Sequence, residues 1–356
     1  MKSPLPSLLL SGVLTLSLGC QPETETFTPS RRAEALEGEV GNWAAAAAKT
    51  DGAPGLAAVV LRSTGEVLAT NTGLVQRYDP YANAWRSTSQ QCIPSYCLTR
   101  SLTELPSGEV LAELSGAGQG SSSGLQKYNP DTDTWVALSG TSYRGESVTL
   151  LESGTVLFAG GYTSQGATVY RVRDAREYNP EAGTFSTSKP LATPRSGHTA
   201  TRLYSGQVLV TGGTADGGAS LASAELYDPA TRSWSSAGAL SRPRTGHRAL
   251  RLYSGSVMIL DDSGSTVDLY DPYNAVWLTG PALPFAAPTA ATLLYSGDVL
   301  VTNNAGQAAI YAPSQNAWLP AAPAAPAKPA GASVLLQSGQ VLRFDGGSTA
   351  AQLFNP

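Results

Sequence analysis

The sequence predicts an all-β fold, a seven-bladed β-propeller of four-stranded blades. Three observations predict it. A turn followed by an apolar strand recurs at Gly65-Glu66-Val67-Leu68, Gly108-Glu109-Val110-Leu111, Gly154-Thr155-Val156-Leu157, Gly206-Gln207-Val208-Leu209, Gly255-Ser256-Val257-Met258, Gly297-Asp298-Val299-Leu300 and Gly339-Gln340-Val341-Leu342. The copies are spaced 43, 46, 52, 49, 42 and 42 residues apart, the period of one four-stranded blade per repeat. An aromatic residue, then Asp, Asn or Ala, then Pro also recurs seven times, from Tyr78-Asp79-Pro80 to Phe354-Asn355-Pro356. A second aromatic stands seven residues after the first in six copies: Trp85, Trp135, Phe185, Trp234, Trp277 and Trp318. The seventh copy stops at Pro356, and Trp43 stands ahead of the first repeat without belonging to one. This pattern predicts a ring closed by an N-terminal strand around Trp43 that completes the C-terminal blade. An open last blade would expose an unpaired edge.

In chain order, residues 1–19 carry Lys2 and then a mostly apolar run from Leu8 to Leu18, the layout of a secretory signal peptide. Leu16-Ser17-Leu18-Gly19-Cys20 resembles the lipobox of bacterial lipoproteins, with Ser17 where that family prefers Leu. The resemblance implies that Cys20 is the lipidated first residue of the mature chain. Gln21 after it implies an outer-membrane or cell-surface destination; a secreted or periplasmic product of ordinary signal cleavage is the alternative. Residues 20–41, with Glu23, Glu25, Glu34, Glu37 and Glu39, read as a flexible tether. The propeller is expected to occupy 42–356. No apolar run of spanning length follows the N-terminus, so the lipid is the one expected membrane contact.

Charged residues are 14 % of the chain against 37 Gly and 24 Pro, which suits short strands and many tight turns. The net charge of −4 argues against nucleic acid, which needs a basic footprint. Beside Cys20 stand two cysteines, Cys92 and Cys97. Export would place them in an oxidising compartment, where a disulfide is the expectation and a metal pair the alternative, with neither of the two histidines near in sequence.

Within a blade, strand a precedes the Ser-Gly turn, strand b follows it, strand c ends at the Tyr and strand d holds the Trp. Blades 3 and 4 add Gly160-Gly161 and Gly212-Gly213 after strand b, and Arg195-Ser196-Gly197-His198 leads into strand a of blade 4. This pattern resembles the kelch repeat over residues 43–356. Blades 1, 5 and 6 depart from it, with Asn71-Thr72, Asp261-Asp262 and Asn303-Asn304 in place of Gly-Gly. The resemblance implies a propeller and leaves the activity open.

The a–b and c–d turns are alike in all repeats, so one face of the disc is expected to be uniform. The b–c and d–a connections vary, and their insertions fall mainly at Ser89–Leu98, Ser115–Gly124, Ser139–Arg144, Gly161–Asp174 and Thr214–Ala222. Loops on a rigid scaffold are where binding usually sits, although length drift in surface loops gives the same pattern. The residue eight before each turn glycine reads Ala57, Arg100, Glu146, His198, His247, Thr289 and Gly331 round the ring. The ionisable members fall in blades 2 to 5, near Arg144, Arg195, Arg244, Tyr96, Tyr143 and Tyr162. Arg and Tyr around a concave mouth suit a carboxylate, a sugar or a peptide. For His198 and His247 a structural role linking neighbouring blades is the competing reading. The Tyr-Asp-Pro aspartates read as turn formers.

The function expected is a surface-tethered binding module that recognises a protein or glycan through its loop-rich face. The alternative is a carbohydrate-active enzyme, epimerase- or oxidase-like, at the channel mouth. The kelch resemblance includes copper radical oxidases, which would require a tyrosine, a cross-linked cysteine and two histidines around the metal. Both histidines here occupy a repeated scaffold position, so no metal or other cofactor is expected. A monomer is expected.

Overall fold

The computed structural model describes residues 40–50, 57–70, 74–89, 97–116, 123–326, 332–344 and 348–356. Cys20, Cys92, Tyr96, Asn71-Thr72, the signal segment and the tether up to residue 39 lie outside the described residues. These residues form seven antiparallel four-stranded sheets. Blade 1 comprises Ala57–Val60, Val67–Thr70, Val75–Asp79 and Ala84–Ser87 as strands a to d. Blade 2 comprises Cys97–Glu104, Val110–Gly116, Ser123–Asn129 and Thr134–Ser142. Blade 3 comprises Ser147–Leu150, Val156–Ala159, Ala175–Asn179 and Thr184–Thr187. Blade 4 comprises Thr199–Arg202, Val208–Thr211, Leu221–Asp228 and Ser233–Arg244. Blades 5 and 6 repeat the plan from Arg248 to Thr279 and from Ala290 to Pro320.

Blade 7 takes strands a to c from Ala332–Leu335, Val341–Phe344 and Ala351–Asn355. Its strand d is Asn42–Ala45, antiparallel to the last strand with Trp43 opposite Phe354. The two rings lie 5.1 Å apart, matching the Tyr–Trp pairs of other blades, such as 4.9 Å for Tyr227–Trp234 and 5.0 Å for Tyr270–Trp277. The a strands then touch in ring order from blade 1 through blade 7 and back to blade 1.

Why these residues form these elements is visible in burial. Strand b is sandwiched on both faces, so its residues are buried from end to end in blades 3 to 6. A continuous apolar run serves there where a half-exposed strand would alternate. The core lies between blades: Leu151, Leu157 and Ala159 of blade 3 pack on Val208, Val210 and Tyr227 of blade 4, and equivalent clusters fill the other seams. The a–b turn is held by a glycine whose φ lies between 73° and 90° in all seven repeats, a conformation that costs a side chain-bearing residue. The Asp or Asn after the Tyr caps the c–d turn, as Asp79 Oδ1 does by accepting the N–H groups of Tyr81 and Ala82.

An outer girdle fastens the blades. The Trp of strand d donates its indole N–H to a carbonyl in or just after strand d of the preceding blade: Trp85 to Ala47, Trp135 to Ser89, Trp234 to Lys189, Trp277 to Ala237 and Trp318 to Pro281. Trp43 does the same to Ala322 at 2.8 Å. The closing strand thus carries the same fastening as the others.

Two connections differ from expectation. Ser139–Ser142 extends strand d of blade 2 instead of forming a loop. The Gly161–Asp174 insertion is a hairpin, Tyr162–Gln165 paired with Thr168–Arg171. Among the described residues no helix is long and apolar enough to cross a membrane.

Candidate binding surface on the loop-bearing face

Arg195 and Arg244 stand at equivalent places on the approach to strand a of blades 4 and 5. Arg195 is fully buried. It donates to the carbonyls of Gly212 and Ser223 and to Glu225 Oε1 at 2.7, 3.0 and 2.8 Å. Arg244 donates to Thr266 O and to Asp268 Oδ2 at 3.1 and 2.6 Å. Each guanidinium ties the d–a connection to strand c of its own blade.

The histidines three residues on reach back to the blade before. His198 Nε2 lies 3.0 Å from Ser147 Oγ. His247 Nε2 lies 2.8 Å from Thr211 Oγ1 and 3.0 Å from Thr199 Oγ1. Burial, with Arg195 and Arg244 nearby, pushes their pKa values down to about 3 and about 4, so both rings are neutral at physiological pH. Gly212 shows the close fit that goes with this: a Cβ there would lie 2.6 Å from Arg244 O and 2.8 Å from His247 Cε1.

Glu146 occupies the histidine place in blade 3, and the polar chemistry of that repeat is exchanged. Arg176 stands where blades 4 and 5 have Glu225 and Asp268, and Tyr143 stands where they have Arg195 and Arg244. Arg176 Nη2 is 3.1 and 3.0 Å from the two Glu146 oxygens, and its guanidinium lies 5.3 Å from the Tyr143 ring centroid. The Tyr143 hydroxyl donates to Asp174 Oδ2 at 2.7 Å. Across the seam Glu113, in strand b of blade 2, takes the place that Thr211 has in blade 4. Ser101 Oγ and Ser142 Oγ each donate to it at 3.3 Å. Burial pushes Glu113 up to about 7. Burial also pushes Glu146 up, to about 8, against the pull of Arg176 and with the push of Glu113. The two carboxyls titrate as one system. Together they keep protons well above the ordinary carboxylate range, because burial outweighs the pull of Arg176.

Arg100 is exposed on strand a of blade 2 and contributes to the field at Glu113. Arg144 and Tyr162 are joined by reciprocal backbone hydrogen bonds of 3.1 and 2.8 Å. This bridge anchors the base of the blade 3 hairpin. On the second strand of the same base, opposite Tyr162, Arg171 N–H donates to Asp216 Oδ1 of the blade 4 loop at 2.8 Å. Beyond these braces, toward its tip, the hairpin presents Val169 and Tyr170, 38 % and 47 % exposed. An apolar hollow of about 430 Å³ opens at blade 6 beside Phe285, Trp318 and Pro320, and none of the candidates lines it.

The sequence of bonds in blade 4, from Arg195 through Gly212-Gly213 and Glu225 to Trp234, coincides with one family match. Residues 194–241 match the model of the Kelch motif. The chain is a seven-bladed propeller that carries a kelch motif in blade 4. Its fold is shared with a fungal alcohol oxidase of the AA5 family in complex with copper, at TM-score 0.73 and 13 % identity over 89 % of this chain and 77 % of that one. A streptogramin B lyase gives TM-score 0.61 at 11 % identity, covering 88 % and 97 %. The structure of YjhT gives 0.59 at 12 %, covering 76 % and 98 %. At such identities the likeness concerns the fold. A comparison with curated proteins finds no match.

The residues of this propeller do not fit a copper centre of the oxidase kind. His198 and His247 lie in successive interblade seams, and each Nε2 is engaged by hydroxyls of the preceding blade. Sequence reading named Glu146 but missed Glu113, Ser142 and Arg176. The signal was available: aligning strand c across repeats sets Arg176 against Glu225 and Asp268, an exchange of sign that demands a partner.

Proposed function

We propose that the protein is a surface-tethered interaction module that recognises a protein or glycan through its loop-bearing face over blades 2 to 4. The observation that carries this reading is the blade 3 hairpin. It is an addition to the repeat, braced at Arg144 and Asp216, and it holds Val169 and Tyr170 in solvent. Rigidly presented aromatic side chains are what binding surfaces use as anchors. Arg100 and Arg144 supply positive charge in the same sector. The tether is proposed from the signal and Cys20 alone.

The enzymatic alternative has less to draw on. Glu146, His198 and His247, the ionisable groups it would recruit, are buried and bonded across seams. Its support is the fold shared with an oxidase and a lyase.

The test compares the full chain with a variant in which residues 163–170 are replaced by a two-residue turn, together with Arg100→Ala and Arg144→Ala. Each is screened against envelope proteins of the host and a glycan array, and labelled palmitate is followed in the wild type and Cys20→Ser. The reading predicts a ligand retained by the wild type and lost by the hairpin variant, with palmitate on the wild type alone. Equal retention by all the propeller variants would remove this face from the site.

A further inference from the structure

The opposite face, made of a–b and c–d turns, is uniform in backbone but not in side chains. The residue two before the turn glycine is Tyr204, Tyr253 and Tyr295 in the consecutive blades 4, 5 and 6. These residues are 52 %, 53 % and 57 % exposed. Each leans over the turn of the next blade, where the glycine leaves room for it. A Cβ on Gly255 would lie 3.3 Å from Tyr204 Cδ2, one on Gly297 would lie 3.3 Å from Tyr253 Cδ2, and one on Gly339 would lie 3.6 Å from Tyr295 Cδ2. The same contact in blade 7 is made by Gln337 over Gly65, with the amide donating to Arg62 O at 3.1 Å. In blade 3 Glu152 leans toward Gly206. The packing therefore accepts a polar side chain at this place, and burial alone does not account for three successive tyrosines.

The first of the three is further fixed. The Arg251 guanidinium lies 3.9 Å from the Tyr204 ring centroid and is itself held by Arg202 O at 2.6 Å. Tyr273, from the c–d turn of blade 5, reaches the same turn: its hydroxyl would lie 3.0 Å from a Cβ on Gly255, and the residue is 73 % exposed. The result is an arc of half-exposed rings repeated blade by blade.

We propose that this arc binds a neutral polysaccharide chain, with Tyr204, Tyr253 and Tyr295 as successive stacking positions. A pyranose ring presents C–H groups on its faces and hydroxyls at its edge. Fixed aromatic faces meet the first at little entropic cost, and polar groups around them meet the second. Here the rings are separated by serine turns, Ser205, Ser254 and Ser296, which are exposed. A protein partner would be met by a contiguous apolar centre that excludes water, and the serine turns interrupt any such centre. Glu152 at one end and Asp271 beside Tyr273 set two carboxylates against Arg251, whose guanidinium is engaged by the Tyr204 ring and Arg202 O, and so disfavour a polyanion. This site lies on the face opposite the hairpin and does not depend on the function proposed above.

The test is native affinity electrophoresis of the full chain in gels containing mixed-linkage β-glucan, hydroxyethyl cellulose, galactomannan or xylan, with alginate as the polyanionic control. The variants are Tyr253→Gln, Tyr253→Phe and the triple Tyr204→Gln/Tyr253→Gln/Tyr295→Gln. Glutamine is the residue that blade 7 carries at this place, and thermal unfolding checks each fold. The proposal predicts retardation of the wild type by at least one neutral polysaccharide. Tyr253→Gln should weaken it about tenfold, the triple variant should abolish it, and Tyr253→Phe and Tyr170→Ala should keep it. No retardation by any neutral polysaccharide, retardation by alginate alone, or undiminished retardation of the triple variant would each overturn it.

Discussion

Glu113 and Glu146 share a seam, with Arg176 in contact with Glu146, and this makes the protein sensitive to pH in a defined direction. Both folded-state pKa values are raised, to about 7 and about 8, above an unfolded value of about 4.3. The folded state therefore keeps protons that the unfolded state has lost. The stabilisation this gives is full below the unfolded pKa and is lost as pH rises through the folded pKa values. The histidines act with the opposite sense: their folded pKa values are lowered, so stability falls as pH drops from about 6.5 toward those values. A window from about pH 6.5 to 8.5 isolates the carboxyls. In urea titrations the wild type should lose on the order of 1 kcal/mol across it, and Glu113→Gln should lose clearly less. An equal or steeper loss in Glu113→Gln would show that the seam holds no such proton.

At the scale of elements, the informative one is the blade 3 hairpin. Gly160-Gly161 ends strand b, and the chain then makes two short strands before strand c begins at Ala175. A two-stranded hairpin is marginal by itself, so the Arg144–Tyr162 bridge and the Arg171–Asp216 hydrogen bond hold it in place. Asp216 belongs to the single 3₁₀ turn among the described residues, at the tip of the blade 4 loop. Asp216→Ala should leave the melting temperature of the ring almost unchanged, because the contact is peripheral. It should increase hydrogen exchange at residues 162–171, read by mass spectrometry. Unchanged exchange there would mean that the brace carries no weight, and the case for a preformed binding edge would weaken with it.

Across the whole molecule, the architecture was legible because the repeat exposes its own jobs. Seven turn glycines, seven aromatic-Pro turns and a stray tryptophan are each demanded by backbone or packing, and all are visible without a structure. Trp43 was legible as the missing strand d aromatic, and it stands opposite Phe354 as the count requires. The site was less legible. Position eight before the glycine singled out Glu146, His198 and His247 alike, yet the histidines bond to hydroxyls while Glu146 meets an arginine from strand c. That difference depends on residues thirty or more positions away, which no local pattern reveals. The tyrosine arc was missed for the opposite reason: Leu-Tyr-Ser-Gly looks like scaffold, and only exposure shows that its ring faces water.

The loops and the arc both depend on a closed ring. Trp43 supplies one aromatic pair, one interblade hydrogen bond and the outer strand of blade 7, and removing a packed Trp side chain typically costs about 3–5 kcal/mol. The most direct measurement is chemical unfolding of three chains: one starting at residue 38, one starting at residue 51, and the first carrying Trp43→Ala. A single cooperative transition is predicted for the chain from residue 38, a loss of about 3 kcal/mol for Trp43→Ala, and a larger loss or failure to fold for the chain from residue 51. Equal midpoints for all three would contradict closure by the N-terminal strand.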